Sequence, residues 1–179
     1  MLLRKSCMGL VGLTALVASC QIKPGEYRVY RVANEDTVES TGCYPSDPGE
    51  DITGDSTTVR VGQTFGIFAA DSDVYFLDFE MASLAGSRDG KDYSFSGETV
   101  DVMILPDPAG GAESRFTSTS ILDVNLTIDG KKISGTSVLE VTTSCTGGAQ
   151  CPDPANTTCT TTTNFQGSEV KDVELEHGV

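Results

Sequence analysis

The residues of this chain that could do chemistry are mainly cysteines and carboxylates. Its 179 residues include six cysteines, 26 acidic residues and one histidine. The histidine, His177, lies close to the last residue, and chain termini seldom hold a fixed site. A Ser-His-Asp or Cys-His arrangement would have to use it, and the sequence contains no G-x-S-x-G elbow, H-E-x-x-H pair or phosphate-binding glycine loop. We therefore expect no enzymatic activity and no cofactor.

The carboxylates leave two other kinds of site to consider. Two correctly spaced acids can hydrolyse a glycosidic bond, but the chain has no tryptophan, the usual stacking platform for sugar rings. A short acidic segment contains Asp47, Glu50, Asp51 and Asp55, and carboxylate oxygens are the ligands that calcium prefers. The spacing does not match an EF-hand loop, so a solvated linker is the favoured interpretation. Calcium binding there stays open, and no other metal site is expected.

Residues 1–19 have the layout of an export signal. Arg4 and Lys5 precede a mostly apolar run from Cys7 to Val17, which is shorter than the about 20 apolar residues that span a bilayer. The run ends in Val17-Ala18-Ser19-Cys20. This tetrapeptide resembles the lipobox of bacterial lipoproteins, in which the cysteine is acylated and becomes the first residue of the mature protein.

The resemblance implies a signal peptide over residues 1–19 and a lipid anchor, with palmitate-type acyl chains, on Cys20. It also implies a location in the cell envelope, and Gln21 in place of an aspartate favours the outer membrane. Residues 20–26 are then expected to be a short lipid tether. Gln21 to Glu26 span at most about 20 Å, so the single domain expected over residues 27–179 should lie close to its membrane.

Four further cysteines are expected to form two disulfides, because an exported chain matures in an oxidising compartment. They are Cys43, Cys145, Cys151 and Cys159. Their spacing is not that of a zinc site, in which ligands come in pairs two to four residues apart. Four cysteines allow three pairings, all of which stay open. The preferred interpretation joins Cys145 to Cys159 and Cys151 to Cys43, which would tie the early part of the chain to its late part.

The charge of the chain excludes one class of partner. Without residues 1–19 the chain has ten basic and 26 acidic groups, a net charge of −16. Affinity for nucleic acids depends on Lys and Arg neutralising phosphate charge. We therefore expect no nucleic-acid partner.

Two Asp-Gly pairs predict β-hairpins, since Asp-Gly suits the tight two-residue turn. Around Asp129-Gly130, residues 119–128 and 131–142 would pair with Leu126 opposite Ile133, which gathers one apolar and one polar face. Around Asp89-Gly90, residues 73–87 and 91–104 would pair with Tyr75 opposite Ile104. This second hairpin needs a β-bulge near residues 81–83 to keep its apolar side chains on one face.

A helix is the rival interpretation of one part of the second hairpin. Leu77, Met81, Leu84 and Ala85 also have helical spacing, and Gly86 could cap the helix. The aromatic content and the period of two favour strands.

Further strands are predicted over residues 27–32, 63–69, 160–165 and 168–176, with loops over 34–56, 106–114 and 147–158. Eight strands in sequential order form an antiparallel meander, and closure into a barrel removes exposed edges. An open β-sandwich is the alternative. The strand number and order resemble lipocalin-type folds, which implies an apolar ligand inside the barrel.

Three function classes are compatible with these features of the sequence. The first is a non-catalytic structural or interaction module on the envelope, with a filled core and a protein partner. The second is a barrel that binds a small apolar ligand. The third, an enzyme, is the least favoured. The mature chain also resembles uncharacterised, lineage-restricted envelope lipoproteins, a resemblance that implies no activity.

Overall fold

The computed structural model describes residues 22–40, 43, 63–79, 82–148, 150–151 and 155–171. Eight strands lie within these ranges: β1 (Tyr27–Glu39), β2 (Gln63–Ala69), β3 (Tyr75–Phe79), β4 (Ala82–Asp89), β5 (Asp92–Leu105), β6 (Ser114–Asp129), β7 (Lys132–Gly147) and β8 (Asn156–Val170). The predicted signal, Cys20, the acidic segment and His177 lie outside the described residues.

The strands form a closed antiparallel barrel in sequential order, β1 to β8, and β8 pairs with β1. The predicted all-β barrel is therefore confirmed, and the open sandwich is wrong. Side chains alternate between interior and exterior, as in β2, where Phe65, Ile67 and Ala69 are buried and their neighbours are not. This period of two follows from strand geometry.

The predicted faces of the β6–β7 hairpin are correct, but its partners are displaced. Gly130 and Lys131 form the loop, and Asp129 pairs with Lys132. Gly130 has a φ of 64°, a left-handed conformation that glycine adopts without steric cost. Leu126 therefore faces Gly135 and not Ile133. The displacement is by two residues, so each side chain stays on its predicted face.

The second predicted hairpin is wrong in its register. Residues 73–87 contain two strands, because the chain turns back between Phe79 and Ala82, which are paired. No bulge is needed there, and the helical interpretation is wrong as well. The β4–β5 loop is Gly90-Lys91, with Asp89 opposite Asp92. Val100, Val102 and Ile104, predicted to face β3, pair with β6 instead.

The predicted number of strands equals the eight found in the described ranges because two errors compensate. The strand predicted over residues 73–87 is in fact two strands, β3 and β4. The described part of the two strands predicted over 160–165 and 168–176 is instead one strand, β8, which runs through Gln166 and Gly167. Strand β1 also continues to Glu39, into a predicted loop. A β-bulge between Asn34 and Thr37 lets β1 stay paired with β8 over this extension.

Candidate functional site

One end of the barrel is closed by Ile22, which is fully buried in the core. The next residues form a hydrogen-bonded turn, in which the Glu26 amide donates to the Lys23 carbonyl at 2.8 Å. The Gly25 amide donates to the Ala69 carbonyl at 2.7 Å, and the Ala69 amide donates to the Glu26 carbonyl. Residues 22–26 of the predicted tether are thus packed against the barrel. We call this end the Ile22 end.

Basic side chains are concentrated in the half of the barrel that contains the Ile22 end. The described residues include nine Lys and Arg: Lys23, Arg28, Arg31, Arg88, Lys91, Lys131, Lys132 and Lys171 in that half, and Arg115 in the other. The basic side chains of the Ile22 half are balanced by acids of the same turns. One of these acids is Asp129, whose carboxylate binds Lys91 Nζ at 2.6 Å. This ion pair lowers the pKa of the exposed Asp129 carboxyl. The opposite half carries the excess of negative charge.

Aromatic side chains cluster in the interior next to Ile22. The ring centroids of Tyr75 and Tyr93 lie 5.2 Å apart, and those of Phe65 and Phe165 also lie 5.2 Å apart. Val124, Leu126 and Ile133 belong to the same buried cluster, with Leu122 packed against it. These last four are the positions whose mutual contact distinguishes a filled barrel from a hollow one.

Two of the tyrosines in this layer are chemically perturbed by burial. Desolvation raises the pKa of Tyr30 and outweighs the opposite effect of the neighbouring Arg28. Desolvation also raises the pKa of Tyr93, whose ring lies 5.7 Å from the Arg88 guanidinium. Both phenols therefore favour their neutral form in the folded chain.

Polar side chains replace aromatic ones further from Ile22. This polar layer consists of Asn34, Thr37, Ser137, Thr161 and Thr163, on adjoining strands β1, β8 and β7. The Thr37 and Thr163 hydroxyls are 3.0 Å apart and hydrogen-bonded. Both amide atoms of Asn34 are buried and have no hydrogen-bond partner among the described residues. A buried amide without a partner is uncommon in folded proteins, so Asn34 is a candidate for contact with a bound polar molecule.

Two disulfides lie at the end opposite Ile22. Cys43 is joined to Cys159, and Cys145 to Cys151. The two predicted bridges are confirmed, and the preferred pairing is wrong. In β8, Cys159 lies opposite Val141 and only two residues from Thr161, next to β1, so the chain leaving β1 brings Cys43 to it. Cys151 instead follows β7 closely and returns to Cys145.

Strand β5 exposes the largest group of apolar side chains in the described part of the molecule. Val100, Val102, Met103 and Ile104 are each about half exposed, between 47% and 55%. β4 pairs with β5 only as far as Ser96, whereas β6 pairs with it as far as Leu105. Residues Gly97–Leu105, which we call the β5 edge, thus have no strand beside them on one side among the described residues.

A groove with a volume of about 850 Å³ lies on the outside of β1, β8, β7 and β6. Arg31, Lys132, Gln166 and Ser168 line it, and all four are exposed to solvent. The backbones of β8 and β1 approach each other closely at Gly167, where a Cβ atom would lie 2.4 Å from the Arg31 carbonyl oxygen. This groove is open to solvent on the outside of the barrel, whereas a lipocalin-type ligand would need an enclosed interior cavity.

The burial of Ile22 and the unpaired β5 edge were not predicted from the sequence. Ile22 was assigned to the tether because one apolar residue gives no periodicity. The β5 edge was hidden because alternating Val100, Val102 and Ile104 have the pattern of an inward face. In the described ranges, no group of three or more His, Cys, Asp or Glu is arranged to hold a metal ion.

No helix in the described part of the chain is long and apolar enough to cross a membrane. Comparison of the chain with models of known protein families, with curated proteins and with solved structures gives no match.

Proposed function

We propose that the protein is a non-catalytic interaction module of the bacterial cell envelope, anchored to the outer membrane by lipid on Cys20. The anchor follows from the lipobox over Val17 to Cys20, and the packing of Ile22 supports it. If Cys20 is the first residue of the mature chain, only Gln21 separates the lipid from the buried core. The Ile22 end would then rest against the membrane.

The buried aromatic cluster of the interior is the observation that carries the interaction role. Phe65, Tyr75 and Phe165 occupy the space in which a lipocalin-type barrel would hold an apolar ligand. Binding is therefore assigned to the outer surface, at the end remote from the anchor. There the half-exposed apolar side chains of the β5 edge are the strongest candidates for contact with a protein.

The charge distribution supports the same orientation. An anionic membrane surface repels negative charge, and in the Ile22 half the acids are balanced by basic groups such as Lys91, which pairs with Asp129. The Ile22 half carries eight of the nine described Lys and Arg side chains, whereas the remote half carries the acidic excess. This arrangement keeps negative charge away from anionic headgroups.

A second candidate function is a carrier of a small polar ligand, and the polar layer favours it. The unpartnered amide of Asn34 could donate to and accept from a bound molecule. Such a ligand differs in chemistry from the apolar one that the lipocalin resemblance implied. It would be reached from the end remote from the membrane.

Native mass spectrometry separates the two candidates. The full chain with Cys20→Ser, exported to the periplasm and purified without detergent, should have the mass of the apoprotein with two disulfides. A bound molecule of defined mass, lost in Asn34→Leu and retained in the exposed control Asn164→Leu, would overturn the interaction module and make the protein a carrier.

A further inference from the structure

The β5 edge presents backbone groups that can pair with another strand. In an antiparallel sheet, the N–H and C=O of successive residues point to opposite sides of a strand. The Ile128 amide donates to the Lys91 carbonyl at 3.0 Å, so the odd-numbered residues at this end of the β5–β6 ladder bond to β6. With the register unbroken to Leu105, the backbone groups of Glu98, Val100, Val102 and Ile104 point to the unpaired side.

This edge lacks most of the features that protect natural edge strands. Natural edges are protected by shortness, bulges, Pro or charged side chains. The β5 edge carries the charged Glu98 and Asp101, but its pairing with β6 is continuous and Pro106 comes only after the strand. The side chains beside the free backbone groups are Val100, Val102 and Ile104, about half exposed. Within the described ranges this edge is long, apolar and unpaired, and such an edge is a site for addition of a strand.

We infer that the β5 edge binds an extended, cationic segment of a protein partner, which adds as an antiparallel strand beside Glu98 to Ile104. The inference rests on the proposed interaction function and names its binding site. The partner is cationic because Glu98 and Asp101 are both exposed on this edge, in a chain with 26 acidic residues. Opposite charges across strands stabilise pairing, and like charges destabilise it.

A second copy of the chain is a poorer occupant for the same reason. Each copy would bring its own Glu98 and Asp101 to the shared edge. The net charge of −16 without the signal adds repulsion between the two molecules.

The test uses a synthetic seven-residue peptide, Thr-Lys-Val-Lys-Val-Lys-Thr, blocked at both ends and labelled with a fluorophore. Its anisotropy is measured against the full chain with Cys20→Ser. We expect saturable binding that weakens with salt, and no binding of the same peptide with glutamate in place of lysine. Equal binding of the two peptides would overturn the cationic preference.

Proline substitution at Val102 tests the backbone pairing. The N–H of Val102 points to the free side, so Val102→Pro removes a donor from the edge and leaves the β6 ladder intact. Loss of a hydrogen bond and local distortion should lower the affinity for the peptide by about fivefold to tenfold. Met103→Pro, by contrast, removes a donor to β6 and should lower the denaturation midpoint. Unchanged peptide affinity in folded Val102→Pro would contradict strand addition.

A charge variant keeps the test decisive if the proline variant does not fold. Glu98→Lys with Asp101→Lys should abolish binding of the lysine peptide and confer binding of the glutamate peptide. Glu140→Gln, at an exposed position on β7, is the matched control and should bind as the parent does. A dimer that forms without peptide and dissociates in Val102→Pro would overturn the inference in favour of self-association. Acylation and native mass are measured separately, so failure here is distinguishable from failure of the proposed function.

Discussion

Single side chains determine how closely the fold approaches its proposed anchor. Ile22 directly follows Gln21 and is fully buried, so its side chain closes one end of the aromatic interior. The neighbouring turn is fixed by hydrogen bonds between Gly25, Glu26 and Ala69. A residue-scale consequence is that the proposed lipid and the barrel are coupled with almost no free chain between them.

Removal of the Ile22 side chain should destabilise the whole barrel. Ile22→Ala leaves a cavity at the Ile22 end and should lower the free energy of unfolding by about 2–5 kcal/mol. Urea denaturation followed by tyrosine fluorescence measures this loss. Val38→Ala, at a position 65% exposed, should change the stability by less than about 0.5 kcal/mol. Equal effects of the two variants would show that Ile22 is not part of the core.

The buried tyrosines make stability depend on alkaline pH. Burial raises the folded-state pKa of Tyr30 and Tyr93 above the ordinary value of 10.0. Because the folded-state pKa is the higher one, their contribution is fully present below about pH 10 and is lost as pH rises through the folded-state pKa. The denaturation midpoint should therefore fall above pH 10, and less steeply in Tyr30→Phe. The exposed Val38 supplies the control, since Val38→Ala should retain the parent slope.

At the scale of elements, the sequence predicted faces better than partners. The alternation of apolar residues places Leu126 and Ile133 inside the barrel even when the register of the hairpin is displaced by two residues. The turn position depends instead on the conformations of Gly130 and Lys131, to which the Asp-Gly pattern is only a guide. The turn between Phe79 and Ala82 has no glycine or proline signal, so β3 and β4 were predicted as one strand.

The disulfide pairing was not predictable from spacing, because it depends on which strands adjoin. Cys43 reaches Cys159 only because β1 closes the barrel against β8. The site was predicted still less well, since it consists of an unpaired backbone edge and a packed Ile22. Neither feature has a sequence motif.

The two disulfides should differ in their contribution to stability. Cys43 and Cys159 are 116 residues apart, whereas Cys145 and Cys151 are six apart. On the chain-entropy model, closing these loops is worth about 5 and about 2 kcal/mol, respectively. Thermal unfolding of Cys43→Ser/Cys159→Ser and of Cys145→Ser/Cys151→Ser measures the two losses. A larger loss for the short loop would contradict this order, and peptide mapping of the parent chain checks the pairing itself.

At the scale of the whole molecule, the barrel has two different ends. The Ile22 end is closed, contains most of the basic side chains and adjoins the predicted lipid. The other end carries the polar layer, both disulfides, the acidic excess and the β5 edge. This difference between the two ends places the proposed binding surface away from the proposed anchor, so the membrane would not block a partner there.

The central claim is that lipid on Cys20 anchors this barrel, and intact-mass spectrometry of the detergent-extracted protein tests it most directly. We expect the mass of residues 20–179 with two disulfides plus a diacylglyceryl group and an amide-linked acyl chain, and an unacylated mass in Cys20→Ser. An unacylated protein that begins at another residue, or a chain that keeps residues 1–19, would contradict the claim.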